Sequence, residues 1–171
     1  MNKQMPIGGR PVEVLLVEDN DDDVELMKIE FERARFAINL HRVGNGEECM
    51  AYLRNEGPYA NSPMPDLILL DLNMPRMDGR EVLEEVGRDE LLKHLPIVVM
   101  TCSNAETDVL TSYKLRCSSY IVKPLGFEDF TRVIQSLADY WFTLVVLPKQ
   151  SKTRSTSGGA QPKPETQAGL R

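Results

Sequence analysis

Five apolar runs alternate with segments of helical periodicity along most of the chain. Runs of large apolar side chains with few interruptions are typical of strands that are buried on both faces of a sheet. The runs span residues 12–17, 38–43, 67–70, 97–100 and 120–122. This alternation predicts an α/β domain with a five-stranded, doubly wound parallel sheet, right-handed crossovers and helices on both faces.

Helical spacing of apolar residues follows each run. The predicted helices begin near residue 24, span residues 47–55 and 79–87, follow Asn104, and open near Phe127. In the last helix an apolar stripe recurs every three or four residues, which is enough to pack it on the sheet. The stripe consists of Phe130, Ile134, Leu137, Trp141 and Leu144.

Polar residues stand where four of the strands end. Glu18 and Asp19 follow the first strand, Asp71 the third, Thr101 the fourth and Lys123 the fifth. In open α/β sheets the carboxyl ends of the strands form the ligand-binding edge. The sequence therefore predicts that these side chains meet at one site.

Three carboxylates brought together repel one another, so one of them must raise its pKa or the group must hold a cation. Oxygen ligands at a water-accessible edge favour Mg²⁺. We expect Glu18, Asp19, Asp71 and the carbonyl of Asn73 to form the metal site, with Glu18 acting through water.

A carboxylate between a cation and an ammonium suits phosphoryl transfer. Mg²⁺ and Lys123 would neutralise charge developing on the phosphoryl oxygens, while Asp71 attacks in line. Thr101 offers a hydroxyl to one phosphoryl oxygen. Aspartyl phosphates are an established product of nucleophilic carboxylates.

Composition and charge narrow the classes of function. The chain has 171 residues and a net charge of −6. Residues 149–171 carry +4, so the preceding residues carry −10, which argues against nucleic-acid binding. No apolar run approaches the roughly 20 residues that cross a bilayer. The three cysteines lack metal-ligand spacing and indicate a reducing compartment, so we expect a cytoplasmic protein with no membrane contact.

Domain organisation follows from the same patterns. Residues 1–11 form an N-terminal extension, residues 12–148 the α/β domain, and residues 149–171 a basic tail. The tail is rich in Ser, Thr, Gly, Pro and Gln and holds few large apolar residues. It is predicted to be disordered because it cannot bury enough apolar surface to offset the entropy of ordering.

The residues at the strand ends resemble the receiver domains of two-component response regulators. In this resemblance Glu18 and Asp19 match the acidic metal pair, Asp71 the phosphoacceptor, Thr101 the switch hydroxyl and Lys123 the active-site lysine. Tyr120 matches the switch aromatic, and Lys123-Pro124 resembles the lysine followed by a cis-prolyl bond. The family implies the flavodoxin-like strand order 2-1-3-4-5, Mg²⁺, and phosphorylation by the histidine of a kinase.

A narrower resemblance points to the partner. The loop from Gly57 to Pro63, the segment from Asp71 to Leu83, and the segment from Trp141 to Pro148 resemble the small regulators that partner cyanobacterial-type phytochrome histidine kinases. These regulators have a single domain. The resemblance therefore implies a single-domain response regulator, with a phytochrome as its kinase and no DNA-binding domain.

Two other functions are compatible with an acidic cluster of this kind. A haloacid-dehalogenase-type phosphatase also forms an aspartyl phosphate, but it needs a second Asp two residues after the nucleophile, where this chain has Asn73. A phosphorylation-independent receiver-like scaffold would lack some of the chemical residues, and here none is missing. We expect a signalling receiver, not an enzyme, whose only chemistry is phosphotransfer to itself and autodephosphorylation.

The end of the last helix is apolar on several faces. Large exposed apolar patches mark interfaces, so a homodimer is favoured over a helix wrapped on its own domain. The predicted interface residues are Tyr140, Trp141, Val145 and Leu147. The acids from Asp21 to Asp23 are interpreted as helix-start charges, because negative charge is favourable at that end of a helix.

Overall fold

The computed structural model describes residues 3–6 and 9–148. Five parallel strands form one sheet in the order β2-β1-β3-β4-β5. The strands are β1 (Val12–Val17), β2 (Ile38–Val43), β3 (Leu67–Leu70), β4 (Ile97–Thr101) and β5 (Ser119–Val122). The helices are α1 (Asp21–Arg33), α2 (Gly46–Leu53), α3 (Gly79–Arg88), α4 (Glu106–Lys114) and α5 (Phe127–Asp139).

This architecture confirms the predicted doubly wound fold. The first three strands match the apolar runs to the residue, and β4 and β5 are each one residue longer. The loop after α2 contains a short 3₁₀ turn, Gly57–Tyr59. The first helix begins three residues before the predicted position, and the other predicted helix boundaries differ by at most two residues, which is the usual uncertainty at helix ends.

The central strand explains why the core forms on both faces of the sheet. All four residues of β3 are buried, and successive side chains of a strand point to opposite faces. Ile68 and Leu70 pack with α2 and α3, whereas Leu67 and Leu69 pack with α1 and α5. The uninterrupted apolar run is therefore required by two separate layers of helices.

The end of α5 departs from the predicted stripe. A π-helical turn spans Tyr140–Leu144, and the N–H of Val145 donates to the carbonyl of Tyr140. The wider turn shifts the register of the side chains. Phe142 consequently enters the core beside Trp141, while Leu144, which the 3.6-residue period had placed on the buried stripe, is 72% exposed.

The N-terminal extension contacts the domain. Gln4 forms a parallel bridge with Phe36, and the guanidinium of Arg10 donates to both carboxylate oxygens of the buried Asp66 at 2.6 and 2.8 Å. The predicted disordered tail, residues 149–171, lies outside the described residues. Within the described part of the chain, no helix is long and apolar enough to cross a membrane.

Candidate functional site

Three carboxylates meet at the carboxyl edge of the sheet. Strands β1 and β3 are neighbours with Val17 opposite Leu70, so the residues that follow them emerge side by side. One ligand oxygen from each of Glu18, Asp19 and Asp71 lies within 4.8 Å of the others. Glu18 and Asp71 are buried, and Asp19 is exposed. This cluster of hard oxygen ligands, open on one side, fits a divalent cation.

Lys123 enters the same cluster from the end of β5. The backbone N–H of Lys123 donates to the carbonyl of Thr101 at 2.8 Å, which fixes this strand end beside β4. Its ammonium donates to the carboxylate of Glu18 and lies 3.4 Å from Asp71 Oδ2. The predicted carboxylates and the predicted amine are therefore in contact.

Asp23 is a member of the site that the sequence analysis placed elsewhere. Its Oδ2 accepts a hydrogen bond of 2.9 Å from the Lys123 ammonium. Asn20 caps α1 by accepting from the N–H of Asp23, so Asp23 lies in the first turn and faces the cluster. Asp23 does lie in the first turn of α1, as the sequence analysis predicted, but that analysis missed its contact with Lys123. No spacing signal separates Asp23 from its neighbours Asp21 and Asp22.

Burial and the attraction between opposite charges shift the pKa values of Glu18 and Lys123 in opposite directions. Burial raises the pKa of Glu18 to about 7, helped by the nearby Asp71 charge and opposed by Lys123. For Lys123, burial disfavours the charged ammonium, but hydrogen bonds to Asp23 and Glu18 outweigh it and the pKa is raised. The lysine therefore stays charged, while Glu18 loses its negative charge more readily than an ordinary glutamate when no cation is bound.

Thr101 and Asn73 form the opposite wall of the site. The N–H of Asn73 donates to Asp71 Oδ1 at 3.2 Å, and its side-chain amide lies 3.4 Å from Thr101 Oγ1. The N–H of Ser103 also approaches Thr101 Oγ1, at 3.5 Å. Both contacts use the Thr101 hydroxyl as an acceptor, so its hydrogen is available to an incoming oxygen.

Tyr120 lies farther from the carboxylates, on β5. Its ring is half-buried against the core cluster of α2 and α3, and its hydroxyl donates to the carbonyl of Ser103 at 2.9 Å. The strand places it opposite Val99 and two residues before the residue paired with Thr101. The predicted switch pair is thus connected through one residue of the β4–α4 loop.

The bond after Lys123 differs from the expectation that came with the resemblance. The described residues contain no cis peptide bond, so Lys123-Pro124 is trans. Proline only reduces the preference for trans and does not abolish it. Here Lys123 reaches the carboxylates without a cis bond.

The start of α3 lies directly on the Asp71 backbone. The N–H of Gly79 donates to the carbonyl of Leu72, and a Cβ at Gly79 would be 2.3 Å from the carbonyl oxygen of Asp71. Asp78 caps the helix in a capping box with Glu81. Only glycine permits this approach, so Gly79 sets the position of the loop that carries Asp71.

A family model for the response regulator receiver domain matches residues 14–135. This match includes β2 to β5, all but the first two residues of β1, and the carboxylate cluster described above. The chain belongs to the response regulator receiver family.

Two relatives are close over nearly their whole length. The response regulator Rcp1 of Synechocystis sp. is 40% identical over 138 residues, which cover 81% of this chain and 94% of Rcp1. The crystal structure of the phosphorylated cyanobacterial phytochrome response regulator RcpA has a TM-score of 0.79 and 39% identity, covering 82% of this chain and all of RcpA.

A third comparison concerns the metal. The crystal structure of the Mn²⁺-bound form of Rcp1 has a TM-score of 0.79 and 40% identity, covering 81% of this chain and the whole of that one. Rcp1 therefore binds a divalent cation. In this receiver, Glu18, Asp19 and Asp71 form a cluster that could hold one.

The predicted interface residues are placed unequally on this receiver. Tyr140 is 54% exposed, whereas Val145 and Leu147 are partly buried against the core. Trp141 is only 8% exposed, so it is an internal residue of the receiver. Its assignment to the dimer interface is corrected, because the indole continues the apolar stripe of α5 and packs into the core cluster that this helix shares with α1 and the sheet.

Replacing Gly79 with alanine tests the contact between α3 and the loop that carries Asp71. We expect Gly79→Ala to lower the free energy of unfolding by about 1–3 kcal/mol, because the new methyl group overpacks against backbone. The displaced Asp71 loop should also lose most of its affinity for a divalent cation. Chemical denaturation measures the first effect, and isothermal titration calorimetry with the cation measures the second.

Gly87→Ala is the matched control in the same helix. A Cβ at Gly87 meets no atom within 4 Å, so this variant should be as stable as the wild type or up to about 1 kcal/mol more stable. Equal behaviour of the two alanine variants would contradict the close approach at Gly79.

The raised pKa of Glu18 predicts a pH dependence of stability in the absence of metal. From the ordinary value of 4.5 up to about 7, the folded protein holds this proton and the unfolded chain does not. The contribution of Glu18 to the free energy of unfolding is therefore fully present below pH 4.5. It is lost as the pH rises to 7, by at most about 1.4 kcal/mol per pH unit.

Urea denaturation of the wild type and of Glu18→Gln in EDTA measures this effect. The stability difference, wild type minus variant, should fall between pH 4.5 and 7 and then stay constant. A difference that stays constant over this interval would mean that Lys123 holds Glu18 ionised in the folded protein and would contradict the raised pKa.

Proposed function

We propose that this receiver is a response regulator that accepts a phosphoryl group on Asp71 from the phosphohistidine of a histidine kinase. The observation that carries the proposal is the arrangement around Asp71. One side of its carboxylate faces Lys123, the other side faces the Asn73 N–H, and the two acidic residues that follow β1 lie within metal-binding distance. The site thus combines a nucleophile, a cation and a cluster for a metal.

We assign Mg²⁺ as the metal, held by Asp19, Asp71 and the Asn73 carbonyl, with Glu18 acting through water. When bound, the ion neutralises charge on the phosphoryl oxygens. A carboxylate oxygen of Asp71 attacks phosphorus, the phosphorus–nitrogen bond to the donor imidazole breaks, and the imidazole takes up a proton as it leaves. Lys123 and the Thr101 hydroxyl each contact an oxygen of the transferred group.

The proposed output is a change in the surface next to the site. A phosphoryl oxygen on Asp71 draws the Thr101 hydroxyl inward, and Tyr120 packs into the space beside it. Since Ser103 contacts both residues, the β4–α4 loop moves with them. The two arrangements of this loop form a two-state switch that phosphorylation biases.

We propose a phytochrome as the kinase, because the relatives that this chain covers almost completely include Rcp1, at 40% identity, and the phytochrome response regulator RcpA, at 39% identity. The receiver would pass the signal on by protein contact and without binding DNA. The acidic character of the residues before the tail supports this.

We further propose that the receiver forms a homodimer through the end of α5 and the π-helical turn. Tyr140, Leu144 and Val146 are 54%, 72% and 76% exposed and follow one another along this segment. Val145 and Leu147 lie at its margin, half-buried. A second copy would cover apolar side chains that the receiver's own core cannot reach.

Asp71→Asn tests the phosphoacceptor. Incubation with a phosphorylated phytochrome kinase and Mg²⁺ should label the wild type and leave the variant unlabelled. Asp19→Ala should reduce labelling at least tenfold with the fold intact, because it loses the metal. Asp22→Asn, on an exposed acid of α1, is the matched control and should label normally.

Phosphate-affinity gels separate the phosphorylated protein, and mass spectrometry locates the modified residue. Undiminished labelling of Asp71→Asn at another aspartate would overturn the assignment. Labelling of neither protein, by the kinase or by acetyl phosphate, would favour the phosphorylation-independent scaffold.

Sedimentation equilibrium tests the homodimer. Tyr140→Ala/Leu144→Ala should weaken self-association at least tenfold, because burying each large apolar side chain is worth roughly 1.5–3 kcal/mol. Leu91→Ala, which changes an exposed leucine after α3, is the control and should associate like the wild type. Beryllofluoride should alter the dimer affinity. A wild type that stays monomeric at high micromolar concentration with and without beryllofluoride would contradict the dimer.

A further inference from the structure

A polar bridge joins α3, the β4–α4 loop and α4 beside the phosphoacceptor site. The guanidinium of Arg80 donates to Asp108 Oδ1 from both Nε, at 3.0 Å, and Nη2, at 2.6 Å. The other oxygen of Asp108 accepts from the Ser103 hydroxyl at 2.6 Å. We call these three residues the α3–α4 clamp.

Ser103 is the point at which the clamp meets the switch residues. Its hydroxyl contacts Asp108, its carbonyl accepts from the Tyr120 hydroxyl, and its N–H approaches Thr101. One loop residue therefore uses its side chain and both of its backbone polar groups on three different elements. Any displacement of this loop must change all three contacts together.

The other end of the clamp is held close to the phosphoacceptor. Arg80 lies in the first turn of α3, and its N–H donates to the capping Asp78. The preceding Gly79 lies against the Asp71 carbonyl, so this turn cannot shift without moving the acceptor loop. The clamp thus connects the backbone at Asp71 to the β4–α4 loop, where the Ser103 carbonyl accepts the hydrogen bond of the Tyr120 hydroxyl.

The strength of the clamp follows from its geometry and exposure. The side chains of Arg80 and Asp108 are 29% and 20% exposed, so their charges are only partly screened by solvent. The hydrogen bonds from Ser103 and Arg80 hold the pKa of Asp108 below its ordinary value. The carboxylate is therefore ionised at neutral pH, and both of its oxygens act as acceptors.

From this geometry we infer that Arg80 and Asp108 are positioning residues for the switch, which stabilise the loop arrangement with Tyr120 packed inward. The inference rests on the proposed function. In this structure Tyr120 is half-buried, and its hydroxyl donates to the carbonyl of Ser103. The hydroxyl of the same Ser103 donates to Asp108. The clamp therefore favours the arrangement that phosphorylation of Asp71 selects, and receivers with a weaker clamp should respond less readily.

Titration with beryllofluoride at a fixed Mg²⁺ concentration tests the inference in the full chain. Arg80→Ala and Asp108→Ala should each weaken beryllofluoride binding about three- to tenfold, the range expected for contacting residues. The double variant should be no weaker than the single variants, because each one already breaks the same bridge. Glu106→Ala, which removes an exposed acid from the same turn of α4, is the control and should bind like the wild type.

A second measurement separates positioning from a general loss of stability. Fluorotyrosine NMR, with the Tyr120 signal assigned from Tyr120→Phe, reports the environment of the ring. In the clamp variants this signal should move toward that of an exposed tyrosine, and beryllofluoride should restore it only partly. Thermal unfolding checks that the variants are folded, and Arg80→Lys and Asp108→Asn replace the alanine variants if those do not fold.

The outcomes distinguish the two levels of the proposal. A wild type that binds beryllofluoride, with clamp variants that bind equally well or more tightly, would overturn the role of the clamp and leave the proposed function intact. An additive loss in the double variant would also overturn it, because the two residues would then act separately. A wild type that does not bind beryllofluoride at all would overturn the proposed function and the clamp with it.

Discussion

The repulsion between carboxylates at one edge of the sheet is the constraint on which this receiver depends. The parallel pairing of β1 with β3 brings Glu18 and Asp71 together inside the protein. Lys123, itself buried, offsets part of this repulsion by contacting both of them and Asp23. Removing one partner from a buried charge cluster leaves an uncompensated charge, so the fold and the site stabilise each other.

The same edge explains how a chemical event at Asp71 can reach the surface. The loops after β3 and β4 are short and are held by backbone contacts, Gly79 on one side and Ser103 on the other. Packed elements of this kind respond to a local change by moving between discrete arrangements. Asp71, Thr101 and Tyr120, which are far apart in sequence, are therefore connected through these two loops.

The sequence predicted the fold and the central chemistry because both have strong local signals. An apolar run such as that of β3 is rare outside a doubly covered strand, and a polar residue directly after it must lie at the strand's carboxyl end. The positions of Asp71, Thr101 and Lys123 follow from this rule alone. Asp23, Arg80 and Asp108 lack such a signal, since charged residues near a helix start usually face solvent.

What the sequence by itself determined is the order of strands and helices, the apolar core and the set of acidic, hydroxyl and amine groups at one edge. The tertiary structure alone decided which charged residues pair across that edge and which apolar residues face outward. The π-helical turn at the end of α5, where Phe142 is buried and Leu144 is exposed, is such a feature. Periodicity records the average pitch of a helix, whereas a local change of pitch and a long-range ion pair arise only when distant segments come into contact.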